Sequence, residues 1–462
     1  MWAPQRRGLT TGLVLTTTFI AAEALAVITI MPLLARDLRG LNLYGWVFSA
    51  FMLGSLVGTV AAGREADRVG PARPYVAGLV LFGSGLAVAG LAPSMAVLVG
   101  GRFLQGIGAG AVPAIAYVAI GRSLPEHLRA RMMAVLSTAW VVPGLLGPVL
   151  SAEVARVFGW RSVFIGLIPL VAVAGVLALP ALARIGRPSA EPAVEHRLRD
   201  AIRTAAGGGL VLEGAAAHGV ALAGVLVLLG SAIGLPALRR LLPAGTLLAH
   251  RGLPAIILSR GLLTFAFFGA DAFVTLAITT VLHHSTTTSS IAITGSTIAW
   301  AAGAWLQARL AETWEGRSFI RLGLVLILGG IAGMAISLQP GVPVGVALVA
   351  WSIAGLGMGL AFAPTSLMML RETSSGRAGR ASASLNLSDV LGTALGTGLG
   401  GGALVAASNQ GWSLSTGVMV AFGVASVGAL GALVVARRLP LQLIAREGAV
   451  ARAERSSSPV DA

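Results

Sequence analysis

Apolar runs, each long enough to cross a bilayer as a helix, follow one another from end to end of the chain, separated by short polar stretches. Their pattern predicts fourteen spans, at approximately 10–35, 45–62, 74–92, 95–120, 132–155, 161–183, 201–217, 218–237, 255–281, 289–310, 319–338, 343–370, 381–407 and 412–436. The period-2 alternation of a membrane barrel is absent, so helices are the spanning element. The weakest span is 201–217, where Gly207, Gly208 and Gly209 stand in a row. Parity supports it: the segments before 201 and after 237 are both basic, so the two middle segments cross together or not at all.

The polar loops alternate between Arg-rich and Arg-poor. One set holds Arg64, Arg68 and Arg73, then Arg122, Arg129 and Arg131, then Arg184, Arg187, Arg197 and Arg199, then Arg239, Arg240 and Arg251. It continues with Arg309, Arg317 and Arg321, with Arg371, Arg377 and Arg380, and with Arg437, Arg438, Arg446, Arg452 and Arg455 at the end. The other set holds Arg36, Arg39, Arg156, Arg161 and little else. By the positive-inside rule this places both termini in the cytoplasm; the expected location is a bacterial cytoplasmic (inner) membrane. Arg6 and Arg7 precede an apolar run to about Leu34, which is too long for a signal-peptide core and contains Glu23; it reads as the first membrane helix.

Composition agrees. The chain has 462 residues, 56% hydrophobic and 11% charged, and a formal charge of +15 carried on Arg, with no Lys. Because most of the Arg sit beside apolar spans, topology explains the charge and a nucleic-acid partner is not expected. The chain has no Cys, so it forms neither disulfides nor thiolate metal sites.

A motif repeats. Gly106, Gly108 and Gly110 return as Gly355, Gly357 and Gly359; Arg122 and Arg131 return as Arg371 and Arg380, and Gly147 as Gly396. The expected fold is therefore an all-α polytopic membrane protein of two six-helix bundles plus two extra middle helices. The divisions are 1–185 for the first bundle, 186–254 for a linker with the two additional helices, 255–440 for the second bundle, and 441–462 for a Ser-rich disordered cytoplasmic tail.

Three blocks then carry a resemblance. The loop after span 2 runs from Gly63 through Asp67, Arg68 and Gly70 to Arg73; span 4 opens with Arg102, Gln105 and Gly106; span 5 contains Gly144, Gly147 and Pro148. Together they resemble the major facilitator superfamily, in particular its fourteen-helix drug/proton antiporter branch. The helix 5 block departs from that branch, with Ser151 and Ala152 where its motif has a Gly pair. The resemblance implies a transporter rather than an enzyme, alternating access by rocking of two halves, and export of hydrophobic or amphipathic compounds in exchange for protons. It implies no cofactor and no metal; the partners are substrate, protons and membrane lipids, and the chain acts as a monomer.

The residues give physical reasons alongside. Asp67 and Arg68 between Gly63 and Gly70, with Arg73 trailing, form a charged turn able to clasp the two halves in one state, or simply a solvated topogenic loop. Arg102 is a charge inside an apolar span, facing a cavity or partner unless it snorkels to the interface. Glu23 in span 1, Asp271 in span 9 and Asp389 in span 13 are intramembrane carboxyls. Such groups either load and release protons or are structural acceptors of hydroxyl hydrogen bonds. Gln105, Trp140 and Trp300 are the cavity candidates, with ordinary packing as the alternative for the two indoles. Gly144, Gly147 and Pro148 would let span 5 bend. Adjacent His283 and His284 read as a solvated loop rather than a metal site, and Glu213 as structural. Exporters of a lipid, metabolite or natural product, and a proton-coupled uptake carrier, use the same pattern. A membrane scaffold or receptor would not need buried ionisable groups in both halves.

Overall fold

The computed structural model describes residues 4–124, 128, 132, 135–136, 138–186, 196–373 and 378–441. Residues 442–462, expected as a tail, and Arg129, Arg131, Arg187 and Arg377 lie outside them. Among the described residues there are fourteen main helices and no strand. The first half contains α1 (Pro4–Asp37), α2 (Tyr44–Val69), α3 (Ala72–Gly90), α4 (Met95–Ser123), α5 (Val141–Phe158) and α6 (Trp160–Ala183, interrupted at Gly166). Two middle helices follow, α7 (His196–Ala216) and α8 (Val220–Leu241). The second half contains α9 (Leu253–Leu276, continued by a wide turn to Val281), α10 (Thr286–Leu310), α11 (Gly316–Ser337), α12 (Gly345–Arg371), α13 (Ala378–Asn409) and α14 (Leu414–Val435).

Twelve of these helices are long and apolar enough to cross a membrane; α7 and α10 fall short, each for its own reason. α7 opens with Arg197, Arg199, Asp200 and Arg203. Its Gly triplet, poor helix chemistry in isolation, serves packing. A side chain on Gly207 would collide with Gly230 and Gly234 of α8, while Gly208 and Gly209 face Leu53 and Trp46 of α2. α10 is rich in Ser and Thr, whose hydroxyls return to the helix's own carbonyls: Ser289 to Thr286 O at 2.9 Å, Ser290 to Thr287 O at 2.8 Å and Thr297 to Ile293 O at 3.0 Å. Back-bonded in this way, hydroxyls need no water.

The repeated glycines do the same work in both halves. In α4, Gly106 and Gly110 lie on the backbone of α2 at Phe51 and Ser55, and Gly108 lies on α3 at Gly78. In α12, Gly355 and Gly359 lie on α10 at Ser296 and Trp300, and Gly357 lies on α11 at Gly323. Small residues at these points let backbones touch, which is what drives helix association where lipid removes the hydrophobic drive.

The halves meet near the ends served by the Arg-poor loops. The Tyr44 hydroxyl donates to Ala272 O (3.1 Å), and its ring stacks on Phe273 at 5.6 Å. Ser49 donates to Ala394 O at 2.8 Å, and Thr275 donates to Ile28 O at 2.8 Å. α5 of the first half also packs on α10 of the second, where Gly144 receives the Thr297 methyl group. α7 lies over the seam between α2 and α13, its Leu212 filling the space above Gly398.

Candidate functional site

Among the described residues the intramembrane charges fall into three clusters. In the first half, Glu23 of α1 is 1% exposed and Arg102 of α4 is 2% exposed. An Arg102 Nη1 hydrogen bond joins them. Arg102 also donates through Nε to Val47 O (3.2 Å) and through Nη1 to Gln105 Oε1 (3.0 Å), and lies 4.2 Å from the centre of the Phe51 ring. Gln105 Nε2 donates in turn to Glu23 Oε1 (3.2 Å), leaving Glu23 Oε2 buried without a partner. The sequence places these groups together because Arg102 and Gln105 are three apart on one face of α4. Arg102 therefore faces a partner and does not snorkel.

In the second half, Asp271 of α9 is buried and its Oδ1 accepts from Trp351 Nε1 of α12 at 2.8 Å. Closer to the Arg-rich end, Arg260 of α9 donates through Nε to Asp389 Oδ1 of α13 (2.5 Å). Its Nη1 donates to Phe362 O and to Thr365 Oγ1, both at 2.6 Å, and the guanidinium lies 3.1 Å from the Phe362 ring centre.

An aromatic ladder joins the two second-half clusters. Trp351 stacks on Phe267 (5.2 Å), Phe267 meets Trp300 edge to face (5.5 Å), and Trp300 meets Phe362 at 5.4 Å. Trp351 and Phe267 are buried, while Trp300 and Phe362, with Phe268 beside them, are half-buried, so the ladder is open toward its Arg260 end. Of the two indoles singled out from sequence, Trp300 is a rung of this ladder, whereas Trp140 is 49% exposed at the start of α5.

Arg260 and Trp351 were missed. Arg260 carries the signal used for Arg102, a charge within an apolar span. Trp351 carries none, since an aromatic in an apolar helix has no contrast with its neighbours.

The charged block expected as a loop after span 2 is mostly helical, since α2 continues to Val69 and carries Gly63, Asp67 and Arg68, and its contacts are inside the first half. Asp67 accepts from Arg122 of α4 at 2.8 Å, and Arg122 also reaches Ala66 O at 3.3 Å. Arg68 pairs with Glu65 on its own helix (3.4 Å), and Arg73 is exposed. Gly70 has φ +87°, where a side chain would be strained, and faces the carbonyl of Ile185. Gly63 faces open space. In α5, Pro148 is buried and Gly147 has Leu25 of α1 at 3.9 Å. Glu213 is exposed. His284 lines a cleft of about 540 Å³ between Arg-poor loops, with Gln339 and Ser413; none of the buried charges lines it. Among the described residues no three His, Asp or Glu converge as metal ligands.

Comparison with known proteins places these observations. A family model described as Major Facilitator Superfamily matches residues 9–397. A probable multidrug-efflux transporter of Mycobacterium tuberculosis is 27% identical over 424 residues, covering 87% of this chain and 89% of that protein. Among solved structures, a peptide transporter, POT, superposes with TM-score 0.66 at 15% identity, covering 93% of this chain and 94% of the other. A bacterial homologue of the human lysosomal transporter Spinster, inward-facing and unoccupied, gives TM-score 0.66 at 14% identity over 94% and 98%. At these identities the structural likeness is one of fold.

Proposed function

The chain belongs to the Major Facilitator Superfamily and is a multi-pass membrane transporter, not an enzyme; on that premise we propose that it exports hydrophobic or amphipathic compounds in exchange for protons. The observation that carries this reading is the half-open aromatic ladder with a carboxyl group at each end, Asp271 buried and Asp389 half-buried. Ring faces bind flat apolar molecules through area and quadrupole, and they attract cations desolvated against them. A carboxyl group in the same wall gains or loses a proton more readily when a bound molecule changes its surroundings. The relative named for multidrug efflux, matched over most of both chains, supports the same reading.

In this reading the two halves rock about a central space, as duplicated transporters do. The seam through Tyr44, Ser49 and Thr275 closes one face. Orientation follows the Arg-rich loops, so that face is the outer one, both termini are cytoplasmic, and the membrane is the bacterial inner membrane. This reading takes the chain as a monomer of the drug/proton antiporter branch; the two middle helices α7 and α8 support it, although only α8 is long and apolar enough by itself to cross. Asp67 and Arg122 tie α2 to α4, stiffening the turn that meets the second half during rocking.

The test is transport of ethidium, a planar aromatic cation, by proteoliposomes under an imposed pH gradient. Gradient-driven movement that collapses with a protonophore is expected. Movement indifferent to the gradient and to the protonophore would overturn proton coupling.

A further inference from the structure

The offset that sets Gly355 opposite Gly106 also sets Trp351 opposite Arg102. Both side chains bond the buried carboxyl group on the first helix of their own half, Arg102 to Glu23 on α1 and Trp351 to Asp271 on α9. The same junction is thus built twice, with a different donor each time. A guanidinium is a permanent cation, so its partner is held as a carboxylate. An indole N–H is a neutral donor that serves the carbonyl oxygen of a protonated acid as well as a carboxylate.

We propose that the two carboxyl groups divide the work: Asp271 alone carries the transported proton, and Glu23 stays ionised throughout as the fixed counter-charge of Arg102. This rests on the proton-coupled reading above and names the residue within it.

The free oxygens differ in the same sense. Glu23 Oε2 is buried with no protein partner, so a proton placed there meets no protein acceptor to pass it on. Asp271 keeps 5% of its surface open, and its Oδ2 has no partner among the described residues. A proton can join Oδ2 from water and leave to water while Oδ1 keeps its bond to Trp351.

Among the described residues, no other ionised group competes for Asp271 at its level. α12 presents Trp351, and Tyr44 at the start of α2 uses its hydroxyl on Ala272 O. α1 brings Glu23, already engaged, and at its end Arg36 and Asp37, the latter bonded to Trp160 and Arg161. α13 between residues 393 and 405, and α14, contain no titratable side chain. α10 and α11 carry Arg309, Arg317 and Arg321 at their Arg-rich ends, and His283 and His284 lie in the loop after α9.

The experiment is proton release from the full-length detergent-solubilised protein in weak buffer on addition of ethidium, with ethidium binding followed by fluorescence from pH 5 to 9. The native chain should release protons and bind more tightly as pH rises. Asp271→Asn should release none and bind independently of pH. Trp351→Arg, which rebuilds the first-half junction in the second half, should also abolish release by pinning Asp271 as a carboxylate. The double variant Glu23→Gln with Arg102→Met, which leaves no orphan charge, should turn over more slowly yet keep both the release and the pH dependence. Release that persists in Asp271→Asn, or vanishes only in the double variant, overturns the division of labour while leaving proton coupling intact. A native chain that binds ethidium and releases nothing overturns proton coupling itself, and the division with it.

Discussion

Among the described residues each half of the molecule contains one intramembrane ion pair, and the two are made from the same parts. Arg102 and Arg260 each hold a carboxylate and a backbone carbonyl, and each lies on an aromatic ring. Each is seven residues from the start of its helix, α4 or α9, which is about 10 Å of rise. Those helices start from opposite ends of the bundle, so the pairs lie at opposite levels. Burial differs as well: side-chain exposure is 2% and 1% for Arg102 and Glu23, against 4% and 24% for Arg260 and Asp389. The duplication copied the scaffold and not the chemistry: one pair is sealed, and the other has a carboxylate that water can reach.

The sharpest way to break this comparison is to remove one guanidinium at a time. Truncating one partner of a buried pair leaves an uncompensated charge and costs about 3–5 kcal/mol. Arg102→Met should fall in that range, whereas Arg260→Met should cost less, because Asp389 can rehydrate where Glu23 cannot. Thermal unfolding in detergent reads both. Adding Glu23→Gln to Arg102→Met should recover most of the loss. Equal costs for the two single variants would show that the exposure difference has no energetic meaning.

The copied scaffold can be tested directly. Val at Gly106 would press on the Phe51 carbonyl, and Val at Gly355 on the Ser296 carbonyl. Overpacking of this kind costs about 1–3 kcal/mol. The two variants should be destabilised alike, since both glycines meet backbone that cannot swing aside. A twofold or larger disparity in unfolding free energy would show that the halves are packed differently after all.

What could be read from the chain follows the same division between scaffold and chemistry. The helices were legible because an apolar run contrasts with Arg-rich loops, and the repeat was legible because glycine spacing is local. Glu23, Asp271 and Arg102 stood out because a charge in an apolar span is costly. Their pairings were not legible, since partners such as Asp271 and Trp351 are far apart in the chain and only packing brings them together. Arg122 was legible as a topogenic loop charge, and its role as the partner of Asp67 depends on α2 lying against α4. α10, expected as a span, is a helix, but its Ser and Thr dilute its hydropathy below that of the twelve helices apolar enough to cross. The middle helix α7 was read as the weakest element because glycines that look like breakers in one dimension are contact points in three.

The Asp67–Arg122 pair offers a contrast to the buried ones. Its side chains are 40% and 26% exposed, and pairs in that setting contribute less than about 1 kcal/mol. Arg122→Ala should therefore barely move the unfolding temperature, while ethidium transport in proteoliposomes slows because the turn loses its tie to α4. A large loss of stability with normal transport would make the pair a structural clamp only.

The smallest effect is expected where a charge pair lies outside both halves. Asp200, near the start of α7 ahead of its apolar part, receives Arg240 Nε at 3.0 Å and Nη2 at 2.9 Å. The Arg240 hydrogen bonds hold its carboxyl group below the usual range, against the opposing effect of burial, and the charges of Arg240, Arg199 and Arg203 add to the lowering. A carboxyl group held low in the folded state contributes stability that is fully present above its ordinary value near 4, and that contribution disappears as pH falls through the native value. Arg240 is 52% exposed, so solvent screens the pair and the contribution is small. Asp200→Asn should thus lower the unfolding temperature slightly at pH 7, and the gap to the native chain should close as pH falls below about 4. A gap that stays constant to pH 3 would mean that the hairpin of α7 and α8 is held by its Gly207 and Gly230 contact alone, with its charges contributing nothing to its position on the seam.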